Sequence, residues 1–339
     1  MMMKILSVSL NPAIDVSCTA ESVAPTVKIR THDQVHDPGG CGVNVARVIA
    51  TLGGRPELLY LEGGATGALL RDIVGKLPIT GHPVAASGAT RISYTVRDLA
   101  TRLEYRFIPE GSDIKPVEFE QMSKLVSELD YAFIVLTGSL PKNVPLDAYA
   151  TLAGIAARRG AKIILDSSGR ALSSALSHGG IYLAKPSLEE LEQLVGKSLD
   201  RDQAGAEAMR IVNRGDAEHI VVSLGADGAI LAKKSGYIHA PAAKVKTGSA
   251  VGAGDSSVGA MVFALANGIG VEEAFHFGIA AGSAAVMTMG TKLCRRKDVL
   301  RLYRQAATAR DQVEVQKLLT VLDLNADRSP ARERNRLVT

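Results

Sequence analysis

Three glycines lead into a single carboxylate within residues 246–264, KTGSAVGAGDSSVGAMVFA. Gly248, Gly252 and Gly254 precede Asp255, and an apolar run with helical periodicity follows. Glycines let backbone N–H groups approach a ligand closely, and the first turn of a helix leaves such groups unpaired beside a partial positive charge. An acid next to such an anion site indicates a proton acceptor held where negative charge develops, which is what phosphoryl transfer requires.

Two other interpretations of this stretch stay open. A glycine-rich turn in which Asp255 caps the following helix explains the same residues. A dinucleotide-binding fingerprint is less well supported, because Ser257 stands where that pattern needs its third glycine. The Gly-Lys-Ser/Thr of a P-loop is absent from the stretch. From these residues alone, the catalytic and the capping interpretations are equally supported.

A second glycine-rich stretch, PGGCGVN at residues 38–44, precedes a predicted helix over residues 45–52. It is either a plain turn or a place where backbone N–H groups and the Asn44 amide hold a polar substrate. Cys41 is predicted to fill space rather than to act as a nucleophile. Asp15, which we place on the loop after a strand over residues 5–10, is either a turn former or a carboxylate that accepts two sugar hydroxyls.

Basic residues and a helix start add two further candidates. Lys28, Arg30 and Arg91 fall on predicted polar strands, where they either solvate a sheet edge or pair with a substrate phosphate. Ser187 and Glu190 have the spacing of a capping box, and spacing alone favours that structural role over a functional one.

The elements that would position these residues alternate between strands and helices over most of the chain, which predicts a parallel sheet covered on both faces. Ligands of such sheets bind at the carboxyl ends of the strands. Candidate residues come at or just after strand ends: Asp15, Ser139, Asp166, Lys185 and Gly225. Alternating patterns over residues 90–108 predict a hairpin that joins earlier polar strands in a separate small sheet.

Composition excludes several classes of function. The chain has 339 residues, of which 46% are hydrophobic, so one large α/β domain or two ordinary ones can form. Its net charge of +4 is spread along the sequence, which gives no case for nucleic-acid binding. Three scattered cysteines and the lack of an apolar run of about 18 residues predict a cytoplasmic protein with no membrane partner.

Together these motifs resemble the ribokinase-like family of sugar kinases, in particular its phosphofructokinase branch and the minor bacterial type within it. The signatures are PGGCGVNVARVIATLGG and VGAGDSSVGAM, supported in order by SLNPAIDV, GGATG, TGSLP, LDSSGRAL, VVSLGADGA and AGSAAVMTMGTKLC. The resemblance implies an α/β fold, a three-layer α/β/α sandwich with a mostly parallel central sheet and a small β-sheet lid. It implies a kinase domain over residues 1–308, with lid strands at about 15–36 and 89–109. The C-terminal extension over 309–339 lies outside the resemblance, and its charged composition predicts a segment that is partly helical and then disordered.

The resemblance also implies roles for individual residues. Asp255 is the base, and the N–H groups of Gly252, Ala253 and Gly254 form the anion hole. The sugar phosphate is held by Asp15, Gly40, Asn44 and Ser139, and by Lys28 and Arg91 on the lid. ATP is bound by Lys185, Ser187, Ser223, Gly225 and Gly228, and Glu190 positions Mg²⁺ through water. A monovalent cation, usually K⁺, sits near Ser249, Val251, Ala285, Thr288 and Gly290. A homodimer joined through the lids is also implied.

Three positions depart from the family pattern: Ser187 replaces an asparagine, Ala250 replaces a threonine, and Thr288 replaces a longer amide. They are expected to affect nucleotide or cation affinity rather than the type of reaction. The implied reaction is transfer of the ATP γ-phosphoryl group to the 1-hydroxyl of fructose 6-phosphate. Kinases of fructose 1-phosphate or tagatose 6-phosphate, a non-catalytic sugar-phosphate sensor and, more distantly, a nicotinamide-dependent oxidoreductase stay open as alternatives.

Overall fold

The computed structural model describes residues 2–307 and 312–326. Its central sheet has nine strands in the order β13-β12-β11-β10-β9-β8-β1-β4-β5. The strands are β1 (Ile5–Ser9), β4 (Glu57–Glu62), β5 (Thr80–Ala85), β8 (Phe133–Thr137), β9 (Lys162–Asp166), β10 (Ile181–Ala184), β11 (Ala217–Ser223), β12 (Ala229–Lys233) and β13 (Gly236–Ala240). All neighbouring pairs are parallel except β11–β12 and β12–β13, which form the predicted antiparallel meander.

Eleven helices in the described residues complete the main body. They are α1 (Cys41–Thr51), α2 (Gly64–Gly75), α3 (Pro116–Glu128), α4 (Ala148–Arg158), α5 (Gly169–His178), α6 (Leu188–Val195), α7 (Arg201–Arg214), α8 (Ala253–Ala266), α9 (Val271–Val286), α10 (Arg296–Ala306) and α11 (Gln312–Ala326). Alternate side chains of a strand point to opposite faces of a sheet. In β8, Phe133 and Val135 face the core formed with α1 and α8–α11, whereas Ile134 and Leu136 face the core formed with α3–α7. Two cores therefore enclose the sheet as the middle of three layers.

A separate sheet of four strands, which we call the lid, has the order β3-β2-β6-β7. Its strands are β2 (Ala13–Ala20), β3 (His32–Gly39), β6 (Arg91–Asp98) and β7 (Glu104–Phe107). The predicted hairpin corresponds to β6 and β7, which pair antiparallel, and β2 joins β6 in parallel. Only Gly40 separates β3 from α1, so the lid joins the main body within the second glycine-rich stretch.

Helix α8 is buried on every side, because each residue from Val258 to Ala266 is buried. Its neighbours are α1 on one side and α9 on another, and Gly259 lets it approach α1, since a Cβ there would lie 2.8 Å from Cβ of Val48. The helix starts at the glycine-rich stretch of residues 246–254, so its rigid packing fixes the position of Asp255.

Helix α11 lies in the region assigned from the sequence to a C-terminal extension, yet it packs into the main core. Val315, Leu318 and Leu322 join the core formed by α8, α9 and α10. Lys317 donates from Nζ to the carbonyl oxygen of Gly268 at 2.6 Å, at the turn between α8 and α9. The disorder predicted for the end of the chain falls on residues outside the described ones.

This packing predicts a stability effect. We expect Leu318→Ala to lower the free energy of unfolding by about 3 kcal/mol, because it removes a fully buried side chain and leaves a cavity. Val313→Ala in the same helix is the matched control, since Val313 is 75% exposed, and it should change stability by less than about 0.5 kcal/mol. Urea denaturation of both variants measures the difference. Equal stability of the two variants would mean that α11 does not belong to the core.

Four positions predicted from the sequence need correction. Asp15 is not in a loop but in β2, because the chain turns at Asn11 and Pro12 and then enters the lid. Lys28 and Arg30 are not on a lid strand but in the loop of residues 21–31, where both are exposed. Helix α1 begins at Cys41 rather than residue 45, so Asn44 is a helical residue and not part of a loop. None of the helices in the described residues is both long and apolar enough to span a bilayer.

Candidate active site

Asp255 lies in the first turn of α8, where the sequence places the catalytic carboxylate. Gly252 caps this helix with a φ of 72°, a backbone conformation that glycine adopts without strain. A Cβ at this position would also lie 2.5 Å from Cδ2 of Leu293. Ala253 and Gly254 are the first two helical residues, and the amide of Ala253 makes only a long hydrogen bond of 3.4 Å to the oxygen of Ala250. The helix start is therefore available to an anionic ligand.

Asn44 reaches Asp255 from α1. Its Nδ2 donates a hydrogen bond of 2.8 Å to Oδ2 of Asp255, which joins residues from the two glycine-rich stretches. Burial raises the pKa of Asp255 to about 6, while the Asn44 bond and the ammonium of Lys185 lower it and the nearby Asp166 raises it. A carboxylate with a pKa near the operating pH is suited to accept a proton from a hydroxyl group.

The raised pKa predicts how activity depends on pH. We expect kcat/KM for the acceptor to rise with pH through an apparent pKa of about 6, because only the ionised form of Asp255 can take a proton. Initial rates at saturating ATP between about pH 5 and about pH 8 would measure this limb. A profile that stays flat across this interval would contradict Asp255 as the base.

Lys185 follows β10 and forms a buried ion pair. Its Nζ lies 3.0 Å from Oδ1 of Asp166, at the end of β9, and the two side chains are 6% and 14% exposed. Desolvation is the largest influence on Lys185 and lowers its pKa, but Asp166 and the more distant Glu190 and Asp255 together raise the pKa above its ordinary value. Lys185 thus remains an ammonium group, suited to bind phosphate oxygens.

A cleft with a volume of about 860 Å³ opens beside this ion pair. Several predicted ATP-binding and anion-hole residues line it: Lys185, Ser223, Gly225, Gly228, Ala253 and Gly254. They come from the ends of β10 and β11 and from the start of α8, so one cavity joins residues that are far apart in sequence. Its size suits a nucleotide.

Ser187 and Glu190 form the capping box expected from their spacing. Oγ of Ser187 accepts from the amide of Glu190 at 3.2 Å, and Oε2 of Glu190 accepts from the amide of Ser187 at 2.8 Å. The chain just before Ser187 contacts a residue that lines this cleft, since the amide of Ser223 donates to the oxygen of Pro186 at 3.0 Å. The structural role of both residues is thereby confirmed, and their role toward a nucleotide or metal remains a prediction.

Asp15, predicted to bind the sugar, lies directly over the second glycine-rich stretch. A side chain at Gly39 has no room, because a Cβ there would lie 2.2 Å from Cγ of Asp15. Burial raises the pKa of Asp15, and the guanidinium groups of Arg47 and Arg91 oppose that rise. Gly40 caps α1. These placements bring the Asp15 carboxylate to the end of α1 that carries Asn44.

Ser139 and Arg91 both contact Asn11, at the turn between β1 and β2. The exposed hydroxyl of Ser139 accepts from Nδ2 of Asn11 at 3.1 Å. Arg91 donates from Nη2 to the carbonyl oxygen of Asn11 and from Nη1 to that of Pro109, both at 3.0 Å. Its Nε is buried without a hydrogen-bond partner among the described residues. Arg91 therefore lies beside Ser139 at the turn between β1 and β2, whereas Lys28 lies exposed in the loop of residues 21–31.

The five residues predicted to surround a monovalent cation lie in or beside two adjoining loops, residues 246–252 and 287–292. The amide of Gly248 donates to the oxygen of Val286 at 2.7 Å, which joins these segments. Oγ of Ser249 accepts from the amide of Val251 at 3.3 Å, and Oγ1 of Thr288 lies 2.8 Å from the oxygen of Ala285. Gly290 packs against the lid strand β2.

Three of the four lid strands form side-chain hydrogen bonds to these loops. The pairs are Asp37 with Thr291 at 2.8 Å, Arg97 with Met289 at 3.0 Å, and Glu104 with Ser249 at 2.8 Å. The lid thus rests on the loops behind the start of α8. No cluster of three or more potential metal-binding His, Cys, Asp or Glu side chains occurs within the described part of the chain.

Sequence reasoning missed three functional candidates in this arrangement. Asp166 was noted only as a strand-end residue, although it holds Lys185. Glu104 gave no signal, because its partner Ser249 is distant in sequence. Arg47 was not singled out, although its partners Asp37, Pro38 and Asn44 are close in sequence. Arg47 does stand three residues after Asn44, and this spacing places the two on one face of a helix, which could have drawn attention to it.

Comparison with known proteins decides the family. Residues 2–298 match the model of the pfkB family carbohydrate kinase. ATP-dependent 6-phosphofructokinase isozyme 2 from Escherichia coli (strain K12) is 40% identical over 304 residues, which cover 89% of this chain and 98% of that relative. The chain belongs to the pfkB family of carbohydrate kinases. Membership confirms the resemblance derived from the two glycine-rich motifs.

Solved structures agree with this assignment. Phosphofructokinase-2 from E. coli in complex with potassium superposes with a TM-score of 0.87 at 38% identity. The superposition covers 90% of this chain and 100% of that structure. The same enzyme in complex with fructose-6-phosphate gives a TM-score of 0.86 at 37% identity, with coverages of 90% and 100%. The ribokinase-like α/β fold expected for this pfkB family member is confirmed. The match establishes that the chain is a phosphotransferase enzyme.

Proposed function

We propose that this enzyme transfers the γ-phosphoryl group of ATP to the 1-hydroxyl of fructose 6-phosphate, giving fructose 1,6-bisphosphate. The observation that carries the proposal is the hydrogen bond of 2.8 Å between Asn44 and Asp255 at the start of α8. This bond supports the proposal because it joins Asp255, at the start of α8 beside the cleft, to the helix that carries the proposed sugar-binding residue Asn44. The E. coli relative that is 40% identical is described as an ATP-dependent 6-phosphofructokinase, and its structure has been solved with fructose-6-phosphate.

In the proposed mechanism, Asp255 takes the proton of the attacking hydroxyl through the oxygen that Asn44 does not occupy. The amides of Gly252, Ala253 and Gly254 stabilise the charge on the transferring group, because a helix start offers unpaired N–H donors. Lys185 binds phosphate oxygens of ATP at the end of β10. Positioning and charge stabilisation supply most of the acceleration, since phosphoryl transfer demands little covalent chemistry from the protein.

The sugar would be held by Asp15, Gly40, Asn44 and Ser139. The carboxylate of Asp15 can accept two hydroxyl donors, and Asn44 offers its amide at the same helix end. Its phosphate would lie near Arg91 and Lys28. For Arg91, the support is the buried Nε without a partner among the described residues; for Lys28, it is the position on the lid loop alone.

Mg²⁺ and K⁺ are the implied ions. Asp166 and Glu190 both influence Lys185 electrostatically, and their carboxylate oxygens are the ligand type that Mg²⁺ prefers. When bound, Mg²⁺ neutralises charge on the ATP phosphates. For K⁺, the fit rests on carbonyl and hydroxyl oxygens of Ser249, Val251, Ala285, Thr288 and Gly290, beside Oε1 of Glu104, a buried oxygen without a partner among the described residues. K⁺ would add positive charge behind the anion hole.

A panel of acceptors tests the proposal. ADP formation would be measured with ATP and each of fructose 6-phosphate, fructose 1-phosphate, tagatose 6-phosphate and unphosphorylated fructose. Fructose 6-phosphate should give the highest kcat/KM. A higher value for another sugar phosphate would reassign the acceptor, and binding without any ADP formation would indicate a sensor.

The phosphate contacts have their own prediction. We expect Arg91→Ala and Lys28→Ala to raise KM for fructose 6-phosphate by about 10-fold or more, because a charged hydrogen bond to phosphate is lost. The KM for unphosphorylated fructose should change little. If both sugars were affected equally, the phosphate-binding role would be wrong.

A homodimer through the lids is also proposed. Several apolar side chains of the lid and its loops are exposed, among them Val27, Val35, Leu103 and Phe107. Such an accumulation favours burial against a second subunit. Sedimentation would test this: the native enzyme should be a dimer and a Leu103→Asp variant should dissociate.

A cytoplasmic location of the enzyme remains a prediction.

A further inference from the structure

Arg47 occupies an unassigned place beside the base. It lies on α1, three residues after Asn44, and its side chain is 15% exposed. The guanidinium makes three contacts: Nη1 to the oxygen of Pro38 at 2.8 Å, Nη1 to Oδ1 of Asn44 at 3.1 Å, and Nη2 to Oδ1 of Asp37 at 3.2 Å. The contacts with β3 hold the guanidinium in place.

The contact with Asn44 determines which way its amide faces. A guanidinium is a donor only, so the atom of Asn44 that faces it must be the carbonyl oxygen. The amide nitrogen then faces Asp255, to which it donates at 2.8 Å. If the Asn44 amide turned over, its oxygen would face the Asp255 carboxylate and its NH2 group would face the Arg47 guanidinium. An acceptor would then meet an acceptor and a donor a donor, so both bonds would be lost.

A chain of hydrogen bonds thus runs from the loop of residues 287–292, through β3 of the lid, to the carboxylate of Asp255. Thr291 donates to Oδ2 of Asp37, Arg47 joins Asp37 to Asn44, and Asn44 donates to Asp255. We propose that Arg47 is a positioning residue for phosphoryl transfer, which acts by holding the Asn44 amide in the orientation that donates to Asp255. The inference rests on the proposed role of Asp255 as base.

Replacing Arg47 should therefore raise the pKa of Asp255. Asn44 and Arg47 favour its ionised form, the first by a hydrogen bond and the second by charge. The other groups that face Asp255 are Cys41 on α1 and the Asp166–Lys185 pair at the sheet. These remain when Arg47 is changed, so the effect of Arg47 can be separated from theirs.

The experiment compares Arg47→Met, Arg47→Gln and Arg47→Lys with the wild type by the pH dependence of kcat/KM. Methionine removes the donors, and glutamine can accept as well as donate, so neither enforces the Asn44 orientation. In both variants the acidic limb should move upward by about one pH unit. Arg47→Lys keeps a positively charged, donor-only side chain and should stay close to the wild type. Arg71→Met is the control, since Arg71 pairs with Glu62 away from Asp255, and its limb should not move.

A purely structural role would lower the melting temperature of the Arg47 variants but leave the acidic limb in place, and this result would overturn the inference. So would an equal shift in Arg47→Lys and Arg47→Met. If Arg47→Met does not fold, the comparison of Arg47→Gln with Arg47→Lys decides. In an Asn44→Ala background, Arg47→Gln should add only the smaller shift due to its charge. Failure of the proposed acceptor would appear instead in the wild type, as absent turnover of fructose 6-phosphate.

Discussion

Asp255→Asn should leave the protein folded and able to bind its sugar while lowering kcat by about 100-fold or more. Asparagine has nearly the same shape and can still accept the hydrogen bond from Asn44, but it cannot take a proton. Burial disfavours the ionised form of Asp255, as its raised pKa shows. Above pH 6, the uncharged amide should therefore maintain or raise the melting temperature.

Turnover of fructose 6-phosphate, sugar affinity and melting temperature would each be measured for Asp255→Asn. Asp130→Asn serves as a matched control, because this carboxylate is exposed and pairs only with Lys4 in the described structure. Near-wild-type turnover of Asp255→Asn would show that another group accepts the proton. Loss of turnover together with loss of the folded state would leave no evidence for a base, so the melting curve is the deciding control.

Lys185→Met should impair both function and stability. Removing the ammonium leaves the Asp166 carboxylate without its partner, and breaking a buried ion pair lowers the free energy of unfolding by about 3 kcal/mol. It also removes the positive charge offered to the ATP phosphates. We therefore expect kcat/KM for ATP to fall by about 100-fold or more.

A double variant separates these two effects. Lys185→Met with Asp166→Asn removes the unpaired charge, so most of the lost stability should return while turnover stays low. Urea denaturation and ATP kinetics of both variants would be compared with those of Asp166→Asn alone, which shows how much turnover is lost with the proposed Mg²⁺ ligand. Recovery of turnover in the double variant would mean that Lys185 serves only as the partner of Asp166.

The site was predictable where short motifs place chemistry at the start of a helix or the end of a strand. Asp255 and Lys185 belong to this class, because an α/β sheet gathers its strand ends at one edge. The layered fold followed from the same alternation. Asn44 was identified as a candidate, but it was placed in the loop before α1 rather than in the helix. The reason is that α1 begins four residues earlier than the apolar periodicity indicates.

Other features depend on contacts that local patterns do not encode. The local sequence of β5 does not indicate a strand, because Pro83 lacks a backbone donor, yet β5 lies at the edge of the sheet, where a missing donor is tolerated. Asp15 looked like a turn residue because Asn11 and Pro12 precede it, but the turn ends there and β2 begins. Nothing in the local sequence distinguishes Arg47 and Glu104 from other charged residues. Their roles depend on contacts in the folded chain, of Arg47 with β3 and of Glu104 with Ser249.

Helix α8, which carries Asp255, is enclosed on all sides, so it has no exposed face on which substitutions are tolerated. From Val258 to Ala266 every side chain is enclosed, so substitutions that shift Asp255 would disturb the cores on which the whole sheet depends. The lid and the residues after the strands, which we propose hold the sugar, are less tightly enclosed than α8. Substitutions that change the acceptor would therefore be tolerated more readily in those segments than at the proposed catalytic start of α8.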